Sequence, residues 1–172
     1  MIQEIIMKHT GKVWWFGEHI DTDVIIPARY LTSNEEKELA QHCMETADPD
    51  FAKNVQPGDF IVAGPLFGMG SSREHAPIAI KGCGVTAVIA PSFARIFQRN
   101  SINVGMPVLE CETLWEDAQQ GDVIEVDMDE GTILHQRTGK THKTSQYPEF
   151  LKEIIAAGGL VPYTRKKLED RA

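Results

Sequence analysis

The 172-residue sequence is poor in cysteine: Cys43, Cys83 and Cys111 stand far apart, with no Cys-x-x-Cys pair and no secretory signal pattern ahead of them. Such isolated thiols argue for small buried hydrophobes in a reducing compartment. Positive charge is scarce too: 17 Lys and Arg against 25 Asp and Glu leave a formal net charge of −8. That balance excludes nonspecific binding to nucleic acid or an anionic membrane, and it requires any anionic substrate to be held by local arginines. Long apolar runs are missing; the longest, around Val85 to Ala90, is far too short to span a bilayer, so the expected location is the cytoplasm. Three chemical signatures are also absent. There is no Gly-Lys-Ser or Gly-Lys-Thr phosphate loop, Gly68-Met-Gly70 lacks the third glycine of a dinucleotide fingerprint, and no Gly-x-Ser-x-Gly forms a nucleophile elbow. Asp21 and Asp23 lie two apart, but neither the glycine nor the distal Glu of a calcium loop accompanies them. No metal is expected there, and the loop should hydrogen-bond its own backbone. No internal repeat is present.

With 42% hydrophobic and 24% charged residues the chain can bury a sizeable core, and its length fits one domain over 1–172. The densest chemistry lies at Gly64-Pro-Leu-Phe-Gly-Met-Gly-Ser-Ser-Arg-Glu-His-Ala-Pro77. The β-favouring run Asp59–Ala63 precedes it, and Glu74–Lys81, of helical composition, follows. The turn therefore sits between a strand and a helix. Its glycines permit positive φ and a close backbone approach, Ser71 or Ser72 is expected to cap the helix, and Arg73 offers a planar fork of donors for a carboxylate or phosphate. An oxyanion site and an ordinary Gly-rich turn with a Ser cap and a surface Arg both fit these residues.

Elsewhere, Met1 to Met7 is β-rich in Ile, and Gly11–Phe16 predicts a strand with Trp14 and Trp15 on opposite faces. Asn34–Met44 reads as a helix capped by Ser33 or Asn34, with Leu39, Cys43 and Met44 inward and His42 on the helix surface. Residues 84–90 form a strand of the kind buried on both faces, and a helix over 92–101 follows, so strand and helix alternate as in a parallel βαβ core. Arg95 and Arg99 share a face of that helix. Further strands are expected at 107–111, 122–127 and 132–137, and helices at 114–120 and 148–157, with a frayed basic tail at Arg165–Lys167.

Gly70-Ser-Ser-Arg-Glu-His-Ala76, Pro91-Ser-Phe-Ala-Arg-Ile-Phe-Gln-Arg-Asn100 and Asp21-Thr-Asp-Val-Ile-Ile-Pro-Ala-Arg-Tyr-Leu31 together resemble the swivel domain of the aconitase superfamily. Within it, the chain most resembles the family of separate small subunits of isopropylmalate dehydratase. The resemblance implies an α/β aconitase-like swivel domain, a βαβ-containing sheet flanked by helices. It also implies a hydro-lyase isomerising or dehydrating a 2-hydroxy dicarboxylate in leucine biosynthesis. Ser71 would be the general base, a role that demands donors and positive charge around a very weak acid. Ser72 would support by hydrogen bonding, Arg73 would bind a substrate carboxylate, and Asp23 would belong to the site's network. Tyr30, Leu31, Thr32 and Ser33 would form the loop that meets the substrate's variable substituent. The family's departing hydroxyl is coordinated by a [4Fe–4S] cluster, which three isolated cysteines cannot build; a large subunit would carry it, and this chain would bind none. Met69 departs from the cysteine or acidic residue expected between its glycines. Homocitrate-type and dimethylmalate dehydratases share the scaffold, and a noncatalytic anion-binding module could use the same turn. Residues 30 to 33 contain no cation, which favours an alkyl-bearing substrate, with Leu31 and the Thr32 methyl as its apolar contacts.

Overall fold

The computed structural model describes residues 8–172, so the stretch Met1–Met7 lies outside the described residues. In chain order the elements are β1 (Lys8–Trp15), α1 (Thr22–Ile25), a 3-10 turn (Ala28–Tyr30), α2 (Glu36–Ala40), α3 (Phe51–Asn54), β2 (Phe60–Val62), α4 (His75–Gly82), β3 (Ala87–Ala90), α5 (Arg95–Asn103), β4 (Val108–Glu110), α6 (Leu114–Asp117), β5 (Val123–Asp127), β6 (Thr132–His135), β7 (Lys140–Lys143), α7 (Glu149–Ala156) and α8 (Leu160–Glu169). The strands form one sheet ordered β4-β3-β2-β1-β5-β6-β7. Strands β1 to β4 are parallel and β1, β5, β6 and β7 antiparallel, so the expected α/β architecture, with helical crossovers α4 and α5, is observed.

The central strands are continuous apolar runs because both of their faces are covered. Ile61, Ala63, Val88 and Ala90 pack beneath the helices with Ile25, Leu39, Met44, Phe51, Ile80 and Phe97. Phe60, Val62, Ala87 and Ile89 point the other way, to Val13, Leu109, Ile124, Val126 and Ile133 in the hollow of the curled sheet. Each such buried Ile, Val or Phe contributes about 1.5–3 kcal/mol of transfer free energy. The two sheet edges nearly meet: the Ser145 amide donates to the Glu110 carbonyl at 2.9 Å, and the Glu110 amide donates to Ser145 Oγ at 3.0 Å. Tyr147 completes the seam, accepting from the Val108 amide and donating to its carbonyl; burial pushes the phenol up to about 12.

Several expectations need correction. Residues 165–167 are not a frayed tail but part of α8, whose Pro162 sits in the first turn, where an amide hydrogen is dispensable, and whose Lys166 and Lys167 sit in the last turn. Strand β7 escapes a pattern search because Lys-Thr-His-Lys has a single inward residue, His142. Helix α5 starts at Arg95 rather than 92, because Phe67 and Phe93 bridge as extended backbone and the Ala94 amide donates to the Phe67 carbonyl at 3.0 Å. Helix α2 stops at Ala40, its N-cap Glu35 makes no side-chain cap bond, and the Ser33 hydroxyl instead accepts from the Glu35 amide at 3.1 Å. Trp14 and Trp15 do diverge: Trp14 packs edge-on against Phe51 and donates to Asp59, while Trp15 stacks on Trp115 at 6.0 Å.

The antiparallel arm is tied by buried Asp122, which accepts from His135 Nε2 at 2.7 Å, Arg137 Nε at 3.0 Å and the Gln119 amide at 2.9 Å. Burial works against its charge, but the Arg137, His135 and Gln119 donors outweigh it and hold the carboxyl below its ordinary range. Asp122→Ala should lower the unfolding free energy in urea by about 2–3 kcal/mol, because it strands the fully buried His135. A depressed carboxyl stabilises above its unfolded value of about 4, and that contribution disappears as pH falls through the lower folded value. The gap between wild type and variant should therefore narrow below about pH 4; a constant gap through acid unfolding would contradict the assignment.

Candidate active site

The site forms where the parallel pairing of β1 and β2 is prolonged past the strand ends. Beyond β1 the chain reaches Asp21, beyond β2 it reaches Met69, and these two residues form a parallel bridge. The Gly68 amide donates to the Ile20 carbonyl at 2.7 Å, and the Thr22 amide donates to the Met69 carbonyl at 2.8 Å. Two motifs far apart in sequence are thereby stitched edge to edge. The Thr22 hydroxyl adds a bond to the Ser71 carbonyl at 3.1 Å. Glycine is required at two places: Gly68, at φ 85°, would drive a Cβ to 2.2 Å from the Phe97 ring, and Gly70, at φ 98°, would bring one to 3.3 Å from Thr22 Oγ1.

Asp21 and Asp23 bond their own backbone, as expected. Asp21 accepts from the Val24 amide at 2.9 Å and caps α1; Asp23 Oδ1 accepts from the Ala28 amide at 3.2 Å. Asp23 also faces Arg73, whose Nη1 lies 3.6 Å from Oδ1. That pair is long, and the Asp23 side chain is 69% exposed against 22% for Arg73, so it satisfies the guanidinium poorly. Arg73 Nη1 is shielded from solvent and has no hydrogen-bond partner among the described residues. A guanidinium nitrogen left in that state costs free energy that an incoming carboxylate would recover.

Ser71 and Ser72 are exposed beside Arg73, and the Arg73 amide donates to the Ser71 carbonyl at 2.9 Å. Neither serine caps the helix. Helix α4 begins only at His75, with Glu74 at the N-cap and no side-chain cap bond. The extra residues carry the serines clear of the helix, neither hydroxyl is hydrogen-bonded among the described residues, and the charge beside Ser71 comes from Arg73. Met69, 39% exposed, adjoins them.

The four loop residues fare differently. Tyr30 ends the 3-10 turn, and Tyr30 and Leu31 pack against the helical core; Thr32 is exposed, and Ser33 is engaged by the Glu35 amide. Leu31 is thus partly consumed by packing and offers less apolar surface than expected. Arg95 and Arg99 are exposed on α5 and line a separate cleft of about 560 Å³ with Tyr147 and Leu151. The cysteines do not converge: Cys43 lies in the helical core, Cys83 beside it, and Cys111 in the core on the other side of the sheet. Burial pushes the Cys43 thiol well up. These thiols do not fit an iron–sulfur cluster, and among the described residues no group of three His, Cys, Asp or Glu could hold a metal. Nor is any described helix long and apolar enough to cross a membrane.

Residues 19–113 match the model of the aconitase C-terminal domain family. The 3-isopropylmalate dehydratase small subunit of Thermodesulfovibrio yellowstonii is 55% identical over 162 residues, covering 94% of this chain and 96% of that protein. The chain belongs to the isopropylmalate dehydratase small-subunit family. Another member, the isopropylmalate/citramalate isomerase small subunit of Methanocaldococcus jannaschii, is 54% identical over 93% of this chain and 95% of its own length. A crystal structure described as 3-isopropylmalate dehydratase from the same organism superposes with a TM-score of 0.90 at 47% identity, covering 95% of this chain and 97% of that one. The stitched turn accordingly falls within the matched region of the family model.

His42 and Glu45, packed behind the loop, were not singled out as site residues from sequence; a short Tyr-to-His separation carries no pattern, and only the fold brings the rings together. The stitch itself can be tested through glycine. Gly121→Ala, at φ 85° in open space, should cost about 1 kcal/mol of backbone strain in urea unfolding. Gly68→Ala adds the Phe97 clash and should cost at least about 2 kcal/mol; equal losses would mean the turn can shift freely away from α5.

Proposed function

We propose that the chain is the small subunit of a 3-isopropylmalate dehydratase, a hydro-lyase active only with a cluster-bearing large subunit, and that residues 1–172 act as one swivel domain. The observation that carries the reading is the shielded Arg73 nitrogen, without a hydrogen bond among the described residues, beside Ser71 on a turn stitched to Ile20–Thr22. Family membership supplies the reaction: removal of water from a 2-hydroxy dicarboxylate and its readdition with hydroxyl and hydrogen exchanged.

In this chain Arg73 holds a substrate carboxylate, and its charge stabilises the negative charge that develops as the proton leaves. Ser71 Oγ, acting in its deprotonated form, takes the proton from the carbon next to a carboxylate and so becomes the hydroxyl; it gives the proton back on readdition, which regenerates the alkoxide. Ser72 donates a supporting hydrogen bond. Asp23, 3.6 Å from Arg73 Nη1, belongs to the network around the guanidinium and leaves that nitrogen available to the substrate. The large subunit's cluster, when bound, supplies Lewis acidity to the departing hydroxyl. Thr32, the exposed member of residues 30–33, meets the substituent, and the absence of a cation there favours isopropyl over a further carboxylate. A methyl substituent, as in citramalate, is the second reading, supported by the name of the Methanocaldococcus jannaschii relative.

Purified alone, the chain should not dehydrate 3-isopropylmalate, and addition of the large subunit should restore turnover; equal turnover without it would sink the two-subunit reading. Ser71→Ala should lower kcat steeply while the subunits still associate. Arg73→Lys replaces a planar fork by a point charge and should cost about 2–3 kcal/mol, roughly 30- to 150-fold in kcat/KM. A loss below about threefold would place Arg73 outside the site.

A further inference from the structure

Behind the loop that faces the substrate substituent lies a cluster the proposed chemistry does not use. The Tyr30 ring stacks on His42, with centroids 3.7 Å apart and planes within 5°. The Arg29 guanidinium carbon lies 4.8 Å from the Tyr30 centroid on the ring face, and Arg29 Nη2 donates to Glu45 Oε1. His42 Nδ1 lies 3.2 Å from the other Glu45 oxygen. One carboxylate thus gathers both ends of the stack. Burial opposes its charge, but the neighbouring Tyr30, His42 and Arg29 outweigh it and hold Glu45 below its ordinary range.

The backbone supporting this cluster is strained. Met44, between His42 and Glu45, has φ 60°, a conformation that non-glycine residues adopt at a cost. It is held there by its fully buried side chain and by its amide donating to the Ile25 carbonyl at 2.8 Å. On its other side the loop is pinned by Asp23, which accepts from the Ala28 amide and also faces Arg73. Arg29 is the single cation among residues 28 to 35, and Glu45 holds it.

We propose that Arg29, Tyr30, His42 and Glu45 form a clasp that fixes the position and the charge of the substrate-facing loop, making His42 and Glu45 positioning residues for substrate selectivity. This rests on the proposed dehydratase reading and deepens it: the enzyme prefers an uncharged alkyl substituent partly because Glu45 keeps Arg29 away from it. A stacked ring pair contributes on the order of a few-fold to tenfold in an equilibrium.

The test uses the complex of this chain with its large subunit and 3-isopropylmalate. His42→Ala should raise KM about 3- to 10-fold with kcat changed less than about twofold, and His42→Phe, which keeps a flat ring, should restore KM. A merely structural loss would lower kcat or the yield of complex instead and would not be rescued by Phe. Glu45→Gln, which weakens the hold on Arg29, should shift the ratio of kcat/KM about 3- to 10-fold toward an analogue bearing a carboxylate in place of the isopropyl group. An active complex with unchanged KM in His42→Ala and an unchanged ratio in Glu45→Gln overturns the proposal. Trypsin cleavage after Arg29 needs no activity and separates the two readings. If the wild-type complex does not turn over the substrate, the dehydratase reading fails, while cleavage about fivefold faster in His42→Ala still supports the clasp and unchanged cleavage overturns it.

Discussion

The backbone stitch between Ile20–Thr22 and Gly68–Met69 is the constraint on which the site depends. Parallel β-strands normally end in loops that diverge; here the ladder continues past β1 and β2 by two amide bonds, so Asp23 and Ser71–Arg73 are set by sheet geometry rather than by loop preference. Asp21 and the Thr22 hydroxyl consolidate it, one by capping α1 and the other by bonding the Ser71 carbonyl. A rigid frame of this kind lets Arg73 remain poorly satisfied, since the surrounding structure does not relax to cover it.

The curl of the sheet serves the same end. With hydrophobic groups on both faces of β2 and β3, the strands that present the turn are fixed by two cores at once, and the Glu110–Ser145 seam and Tyr147 join the sheet's outer edges. Functional groups gather at the carboxyl ends of parallel strands because helices and loops there have room to vary while the strands do not. The buried Asp122–His135 pair secures the antiparallel arm.

The parallel core was legible in sequence because continuous apolar runs such as Phe60-Ile-Val and Ala87-Val-Ile-Ala alternate with helix-forming stretches, and the Gly64–Pro77 turn was legible because its glycines, hydroxyls and arginine are adjacent. What stayed hidden depends on distance or on short, polar elements. Strand β7 has one inward side chain, α1 and α3 span only four residues each, and α8 follows two glycines that read as a stop. The helix expected over Glu74–Lys81 starts within a residue of the observed α4, but its cap could not be read, since a Gly-Ser-Ser segment offers a cap and only the fold shows the Ser71 carbonyl held by the Thr22 hydroxyl. The Tyr30–His42 stack and the reversed chain at Met44 require knowing that the turn after α2 folds back on Ile25.

The central claim is that Arg73, held only by a long pair with Asp23, keeps Nη1 free of a hydrogen bond among the described residues in order to receive a carboxylate while Ser71 addresses the adjoining carbon. A crystal structure of the two-subunit complex with 3-isopropylmalate bound tests it most directly. The account predicts a substrate carboxylate oxygen about 2.7–3.0 Å from Arg73 Nη1 and Ser71 Oγ turned toward the carbon that loses its proton. Arg73 paired with an acidic residue of the large subunit, with the substrate carboxylates bound elsewhere, would contradict it.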